Sequence, residues 1–250
     1  MKQLTCVVAM MAVLGASGCA QDGSFDSNKA MAVGMGVAQA VTLNEESVKQ
    51  TASLAAKEMD SKNQVAGASN PYSRRLENIT AGLDNYRGLS FDFKVYLAPE
   101  VNAFAMADGT VRVYSGLLDA MPDDQVLAVI GHEIGHVYHK HSYEQMQQKI
   151  LTDSAMQAAV SVGGTVGELT QGQLGQLAYV AVNARFSQQD ELESDTFAVK
   201  MLKNLGQDPY AMKRAIQTLE SKYGSDSSFL SSHPSNKERI KRIQKAIDQL

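Results

Sequence analysis

Tryptophan is absent from this sequence, and only two cysteines and five prolines occur among its 250 residues. Both cysteines, Cys6 and Cys19, lie near the start, so the rest of the chain cannot be built on a disulfide framework. No apolar run approaches the roughly twenty residues that a membrane-spanning helix needs. With a net charge of −4, nucleic acid is not expected as a partner.

The composition is that of a globular protein with one main domain. Hydrophobic residues make up 44% of the chain and charged residues 20%, which is enough apolar material for one substantial core. Helical patterns predominate, and a few short alternating segments indicate strands. We therefore predict an α+β fold that is mainly helical, with a small antiparallel β-sheet.

The N-terminal residues resemble the leader of a bacterial lipoprotein. Lys2 precedes an apolar run from Leu4 to Leu14, and small residues then lead to Cys19, as in a secretory signal that ends at a lipidated cysteine. The third residue before Cys19 is usually Leu in such signals and is Ala16 here. Ordinary signal-peptidase cleavage, which would leave the protein soluble in the periplasm, therefore stays open as an alternative.

This leader divides the chain into three segments. We predict a signal peptide over residues 1–18, a tether over 19–43 and a single domain over 44–250. Lipidation of Cys19 would supply a membrane anchor made of acyl chains. By resemblance to bacterial sorting signals, Ala20 after this cysteine indicates the outer membrane, with the domain facing the periplasm.

One helical segment carries an H-E-x-x-H pattern, with His132 and His136 one turn apart and Glu133 beside them. Two imidazoles at this spacing can bind one zinc ion, and the intervening Glu can accept a proton from an attacking water. The alternative is a His-rich surface helix, since His139 and His141 follow closely. The apolar residues fall on the opposite side and are expected to be buried: Leu127, Ile130, Ile134 and Val137.

The segment before this helix predicts three strands. Phe91 to Leu97 alternates apolar and polar residues, and Val101 to Met106 is joined by an Asp-Gly turn to a returning strand over Thr110 to Tyr114. In zinc proteases of the thermolysin type, an edge strand beside the metal-binding helix pairs with the extended substrate. The candidate for this role is Asn102-Ala103-Phe104-Ala105, although an ordinary core strand fits the pattern equally well.

Other parts of the chain have helical patterns. They cover Glu45 to Asp60, Ser73 to Tyr86, 144 to 160, Leu174 to Leu205, Pro209 to Tyr223 and Pro234 to Leu250. Basic residues of the last segment are interpreted as a solvated surface: Lys237, Arg239, Lys241, Arg242 and Lys245. Gly131 and Gly135 each cost their helix about 1 kcal/mol relative to Ala, which indicates a closely packed neighbour.

A third metal ligand has to come from elsewhere in the chain. The metzincin pattern would need Gly at position 139 and His at position 142, but the chain has His139 and Ser142. The other common solution is a Glu from a second helix. Acidic residues on the helical patterns downstream include Glu168, Glu191, Glu193, Asp195 and Glu220. Glu191 and Asp195 share a helix face, so one could bind metal while the other orients a ligand histidine, although a charged solvent face is the commoner origin of such runs.

Three motifs together resemble the HtpX-type zinc metallopeptidases. They are His132-Glu133-x-x-His136, Phe186-Ser187-x-x-x-Glu191-x-x-x-Asp195 and His233-Pro234-x-x-x-x-Arg239. Relatives of this family include the CAAX prenyl proteases and the periplasmic protease BepA. The resemblance extends over nearly the whole chain after the leader, and it implies a zincin-like metalloprotease domain of the gluzincin type.

The resemblance also implies roles for individual residues. His132, His136 and Glu191 would bind one Zn²⁺, and Glu133 would be the general base. Asp195 would hydrogen-bond the ring nitrogen of a ligand histidine that does not bind the metal. His233 would either stabilise the oxyanion or occupy a ligand position in a resting form. Gln188 and Ser194 depart from the usual family residues Arg and Ala, which puts only local packing in doubt.

The resulting functional hypothesis is a zinc endopeptidase that cleaves unfolded or damaged proteins of the periplasm and outer membrane. Its expected partners are protein substrates, the membrane through the lipid anchor, and other envelope proteases or outer-membrane assembly proteins. The main alternative is a periplasmic chaperone or assembly factor for outer-membrane proteins with a latent zinc site. A zinc hydrolase acting on peptidoglycan or lipid is disfavoured, because aromatic residues make up only 6% of the chain.

Overall fold

The computed structural model describes residues 44–153, 169–224, 228–235 and 237–250. The predicted signal peptide, the tether and Cys19 lie outside the described residues, as do Glu168 and the end of the helix predicted over 144–160. All described residues fall within one compact unit, Gln39–Leu250. Within these ranges, none of the helices combines the length and apolar character that a membrane span requires.

Helices make up most of the described residues, which confirms the mainly helical α+β fold. The H-E-x-x-H pattern falls within α4, and α7 carries Glu191 and Asp195. The helices are α1 Glu45–Lys62, α2 Pro71–Ile79, α3 Ser115–Ala120, α4 Asp123–Tyr138, α5 His141–Thr152, α6 Gln171–Val182, α7 Gln188–Asn204, α8 Tyr210–Tyr223, α9 Ser228–Ser232 and α10 Lys237–Asp248.

The strands form a two-stranded hairpin and a three-stranded sheet. They are β1 Asn85–Tyr86, β2 Leu89–Ser90, β3 Asp92–Tyr96, β4 Ala103–Ala105 and β5 Thr110–Tyr114. In the larger sheet, β5 lies between β3 and β4. The β4–β5 pair is antiparallel as predicted, whereas β3 and β5 are parallel. This sheet is therefore mixed rather than antiparallel throughout, because alternation identifies a strand but does not reveal its neighbour.

Helix α2 ends earlier than the pattern over Ser73 to Tyr86 predicts. It begins where the side chain of Asn70 accepts a hydrogen bond from the backbone of Tyr72, and its last residue is Ile79. Gly82 then adopts a φ of +83°, a conformation that only glycine reaches without strain. The chain turns there and enters β1, so the apolar residues beyond Ile79 belong to a turn and a hairpin.

The single helix predicted over Leu174 to Leu205 is two helices, α6 and α7. The break comes from Ser187, whose hydroxyl accepts the backbone N–H of Asp190 while the Asp190 carboxylate accepts the N–H of Ser187. This reciprocal capping pair starts a new helix. As a result, Glu191 lies in the first turn of α7, where the helix dipole favours a carboxylate.

Helices α4 and α7 pack closely at the two glycines of α4. A β-carbon on Gly135 would lie 2.9 Å from the Cα of Ser194, and one on Gly131 would lie 3.4 Å from the Cα of Ala198. The close neighbour predicted from these glycines is thus α7. The predicted burial of the apolar side of α4 is also confirmed, because all four residues are buried: Leu127, Ile130, Ile134 and Val137.

Candidate metal centre

Three chemically active side chains project from one side of α4. His132 and His136 are completely buried, and Glu133 is 2% exposed. The Nε2 atoms of the two histidines lie 3.0 Å apart. This proximity follows from their four-residue spacing on a helix with 3.6 residues per turn.

Helix α7 brings two carboxylates to opposite sides of the His132 ring. Glu191 Oε2 lies 3.5 Å from His132 Nε2, and Glu191 Oε1 lies 3.4 Å from His136 Nε2. Asp195, one turn later on α7, places Oδ1 2.9 Å from His132 Nδ1. The sequence-predicted pair therefore reaches the cluster, whereas Glu193 is half-buried outside it and Glu220 is exposed.

His233 enters the same cluster from the connection between α9 and α10. Its Nδ1 lies 2.9 Å from Glu191 Oε1 and 3.3 Å from His132 Nε2. Its Nε2 lies 3.4 Å from Glu133 Oε1. The ring is stacked on Phe229, with 4.6 Å between the ring centroids, and this contact helps to hold it beside the other groups.

The cluster has the donor atoms and the spacing of a metal site. One ligating atom from each of His132, His136, Glu191 and His233 lies within 4.8 Å of the others. Ligands about 2.0–2.1 Å from a tetrahedral metal such as zinc are about 3.3–3.4 Å apart. The pairwise distances reported above run from 2.9 to 3.5 Å. Since a neutral imidazole has only one N–H, three ring nitrogens this close cannot all satisfy one another by hydrogen bonds. The residues present fit a metal ion.

Arg239 is a buried part of the site, and its interpretation as a solvated surface residue is wrong. It is completely buried, and its Nε and Nη2 bind the two oxygens of Asp195 at 2.8 and 2.7 Å. Its Nη1 also lies 2.8 Å from Glu191 Oε2. The other basic residues of α10 are exposed as predicted: Lys237, Lys241, Arg242 and Lys245. Helical periodicity could have separated Arg239 from them, because it lies four residues before the fully buried Ile243.

His141 contacts His136, although the sequence assigned it no role and named it only in the alternative of a His-rich surface helix. It is 5% exposed, and its Nδ1 lies 3.1 Å from His136 Nδ1. Phe186 stacks on the face of the His136 ring, with 3.7 Å between the ring centroids. His139, by contrast, keeps 32% of its side chain exposed.

Burial and neighbouring charges set the ionisation of these groups. Burial raises the pKa of Glu133, and the nearby imidazoles offset only part of this effect. Burial also acts to raise the pKa of Glu191, but His233 and His132 outweigh it and hold this pKa well below its usual range. Burial lowers the pKa of His136 well below 6.5, which favours the neutral ring that binds metals. For His233, burial lowers the pKa, but Glu191 and Glu133 outweigh it and the net shift is upward.

Strand β4 is an edge strand beside this cluster. The N–H of Tyr114 donates to the carbonyl of Asn102, so by the alternation of an antiparallel ladder Ala103 and Ala105 direct their backbone groups to the free edge. The N–H of Ala103 donates to the side chain of Asn102 at 3.0 Å. The N–H of Ala105 donates to the carboxylate of Glu133.

Phe104, the remaining residue of the predicted edge segment, has a core side chain. It is 2% exposed and packs against the rings of Tyr96 and Tyr114. The two interpretations of this segment are therefore compatible, because its side chains are buried while its backbone forms an edge.

A cavity of about 610 Å³ lies at one end of this edge strand. Its lining includes Asn102 just before the strand, Ser232 next to His233, and Arg185 between α6 and α7. Polar side chains dominate the wall, among them Asn63, Asn183, Ser228 and Ser231. The cavity thus connects the outer surface with residues that adjoin the metal cluster.

Comparison with known proteins identifies the family. The model of peptidase family M48 matches residues 80–247. The metalloprotease LoiP of Escherichia coli is 40% identical over 98% of this chain and 96% of its own length, which confirms the relation indicated by the motifs. The metalloprotease YcaL of the same organism is 37% identical over 98% of this chain and 97% of its own. The beta-barrel assembly-enhancing protease of E. coli is 28% identical over 64% of this chain and 35% of its own. The chain belongs to peptidase family M48 and is a metalloendopeptidase.

Proposed function

We propose that this metalloendopeptidase uses one zinc ion held by His132, His136 and Glu191 to cleave unfolded or damaged proteins in the bacterial cell envelope. The observation that carries the proposal is the buried cluster of four ligating side chains within 4.8 Å. Neutral imidazole and carboxylate are ligands that zinc prefers. Asp195 supports the arrangement, because it lies 2.9 Å from the second ring nitrogen of His132 and would fix its tautomer.

Glu133 is assigned as the general base. When bound, zinc would polarise the carbonyl of the scissile peptide and make water a stronger nucleophile. Glu133 would accept the proton of that water and pass it to the leaving amine. Its Oε1 is buried and accepts no hydrogen bond, and its neighbour His233 Nε2 lies 3.4 Å away, so this oxygen can receive a proton without losing a hydrogen bond.

His233 is assigned to a ligand position in the resting form of the enzyme. Its Nδ1 lies among the ligating atoms, and the surrounding groups are at most 2% exposed, so the arrangement described here is closed to substrate. A substrate carbonyl needs a free position at the metal, and we propose that His233 leaves its place when substrate enters. Once displaced, its ring could donate a hydrogen bond to the developing oxyanion, which is the second role expected for it.

Substrates are expected to bind in extended form along β4. Ala103 and Ala105 direct their backbone groups away from β5, where an added strand would pair once the side chains of Asn102 and Glu133 release the two N–H groups. An extended segment is more accessible in an unfolded protein than in a folded one, which supports a role in protein quality control. The N-terminal signal, with Cys19 as the lipidated residue, supports attachment to the outer membrane.

The chemistry is tested by zinc analysis and casein cleavage on the wild type and Glu133→Gln. The wild type should contain one zinc per chain and lose activity with a chelator. Glu133→Gln should keep its zinc and cleave casein about 10²–10⁴-fold more slowly. Glu77→Gln, an exposed substitution on α2, serves as the matched control. A Glu133→Gln protein that cleaves casein at the wild-type rate would reject the assignment.

A chaperone or assembly role is the second candidate, and it is favoured by the name of one relative, the beta-barrel assembly-enhancing protease. Such a role would need the folded protein but not its proton transfer. Restoration of outer-membrane protein assembly in a deletion strain by Glu133→Gln would support this role. Failure of that variant beside success of the wild type would favour proteolysis.

A further inference from the structure

His141 is held between a proposed zinc ligand and two carboxylates. It is the first residue of α5 and is 5% exposed. Its Nδ1 lies 3.1 Å from the Nδ1 of His136, the ring nitrogen that faces away from the metal cluster. Its Nε2 lies 3.4 Å from Glu193 Oε2 and 3.7 Å from Asp190 Oδ1. His141 therefore lies behind His136, and the carboxylates of Glu193 and Asp190 lie behind His141.

This alignment determines where the ring protons have to lie. If His136 presents the lone pair of Nε2 to a metal, its proton is on Nδ1, and that N–H needs an acceptor. The atom within reach is His141 Nδ1, which can accept only if the proton of His141 is on Nε2. That proton then points to Glu193 and Asp190, whose oxygens are acceptors. With a neutral His141 ring, these contacts are therefore consistent with the metal-binding tautomer of His136.

The local backbone is shaped to make this contact. Lys140, between α4 and α5, adopts a φ of +66°, which is unfavourable for a residue with a β-carbon. The turn at Lys140 lets His141 reach back to a residue on the preceding helix. Backbone strain of this kind persists where the surrounding structure holds it in place, as it does at many functional sites.

The two histidines of α4 are supported differently. His132 is backed by the carboxylate of Asp195, which Arg239 binds in turn. His136 is backed by the imidazole of His141, with partly exposed carboxylates behind it. We infer that His141 is a positioning residue for the reaction: it accepts the Nδ1–H of His136 and so holds that ring in the orientation and tautomer that bind zinc. This inference rests on the proposed function, because it needs His136 to be a ligand.

The test uses two substitutions of nearly equal shape. In His141→Asn the amide oxygen takes about the place of Nδ1 and can accept the hydrogen bond, whereas His141→Leu cannot. Zinc affinity is measured by competition with a chelator, and the visible spectrum of the cobalt-substituted protein reports the ligand field. Thermal unfolding of the metal-free proteins measures packing separately. His139→Asn is the matched control, because His139 contacts His141 but no proposed ligand.

We expect His141→Leu to bind zinc about 10–100-fold more weakly than the wild type and to shift the cobalt spectrum. His141→Asn should stay within about threefold of the wild type, and His139→Asn should match it. Equal losses in the Asn and Leu variants, or no loss in either, would overturn the inference. His141→Ala is measured as well, so that a Leu protein that fails to fold does not decide the matter; wild-type affinity in the Ala variant would also overturn it.

The same titrations separate this inference from the proposed function. His136→Ala should lose most of the zinc affinity if His136 is a ligand. Wild-type affinity in His136→Ala would reject the ligand assignment and the inference together. A loss in His136→Ala without any loss in His141→Leu would keep the proposed function and reject only the role of His141.

Discussion

Two buried arginines use the same geometry in different parts of the molecule. Arg112 on β5 binds both oxygens of Asp60 at 2.8 and 2.9 Å, and its Nη2 lies 2.9 Å from Asp92. Arg239 on α10 binds both oxygens of Asp195 and approaches Glu191. Both arginine residues are at most 1% exposed, and each guanidinium pairs with two carboxylates.

The two clusters differ in what lies beyond the arginine. Asp60 also accepts from Lys94 and from the hydroxyl of Tyr96, so the donors and acceptors around Arg112 satisfy one another. Beyond Arg239, three imidazoles crowd together and a Glu133 oxygen has no hydrogen bond. A buried ion pair therefore does not mark a functional site by itself. A functional site is marked instead by ligating atoms that hydrogen bonds within the protein do not satisfy and that can therefore bind a metal ion.

Substitution of each arginine should have a different effect on unfolding free energy and zinc affinity. Arg239→Met leaves Asp195 buried beside only His132, which should cost about 3–5 kcal/mol of unfolding free energy. It should also weaken zinc binding about 10–100-fold, since Asp195 would no longer be held against His132. Denaturant unfolding and chelator competition give the two quantities.

Arg112→Met is the matched variant. Asp60 would keep Lys94 and Tyr96 as partners, so the loss should be smaller, about 1–3 kcal/mol. Zinc affinity should be unchanged, because among the described residues the polar contacts of Arg112 and Asp60 do not reach the proposed ligands. Equal zinc affinities in the two variants would remove the functional distinction between the arginines.

The metal cluster, unlike the Arg112 cluster, depends on close packing of two helices. Gly135→Ala would place a β-carbon 2.9 Å from the backbone of Ser194, so α4 and α7 would have to move apart. We expect a loss of about 1–3 kcal/mol together with weaker zinc binding. Gly172→Ala, where the nearest atom is 3.9 Å away, should instead stabilise α6 by up to about 1 kcal/mol. Thermal unfolding of both variants checks this contrast, and a stabilised Gly135→Ala would contradict it.

Acid should weaken the Arg112 cluster in a defined pH range. Burial acts to raise the pKa of Asp60, but hydrogen bonds from Arg112, Lys94 and Tyr96 lower it from 3.8 to about 2. Because the folded-state pKa is lowered, the stabilisation by Asp60 is present above about pH 4 and is lost as the pH falls through about 2. Unfolding free energies measured between these values should therefore decrease less steeply in Asp60→Asn than in the wild type. Parallel curves would show that Asp60 contributes nothing in this range.

The sequence was informative wherever chemistry repeats at a helical period. His132 and His136 were identified by their four-residue spacing, with Glu133 next to His132, and the same spacing relates Glu191 to Asp195. Their convergence on one cluster depends on the approach of α4 and α7, and the two glycines of α4 indicated a neighbour without identifying it. The motif that includes His233 was recognised by resemblance, but its distance from the ligands needed the structure.

Other features could not be predicted because they depend on tertiary contacts. The parallel pairing of β3 and β5 leaves no trace in the alternation of either strand. The helix break before Glu191 is an exception, because the Ser187-x-x-Asp190 capping pair is local and its spacing could have been recognised in the sequence. His141 comes close to His136 through a turn at Lys140 whose φ of +66° no residue pattern announces.

Anomalous diffraction at the zinc absorption edge, from crystals of the purified protein, tests the central claim most directly. The account predicts one peak per chain, about 2.0–2.1 Å from the nitrogens of His132 and His136 and from an oxygen of Glu191. A fully occupied peak elsewhere, for example at His139 and Glu193, would contradict it, and so would a catalytically active crystal form with no peak at the buried cluster.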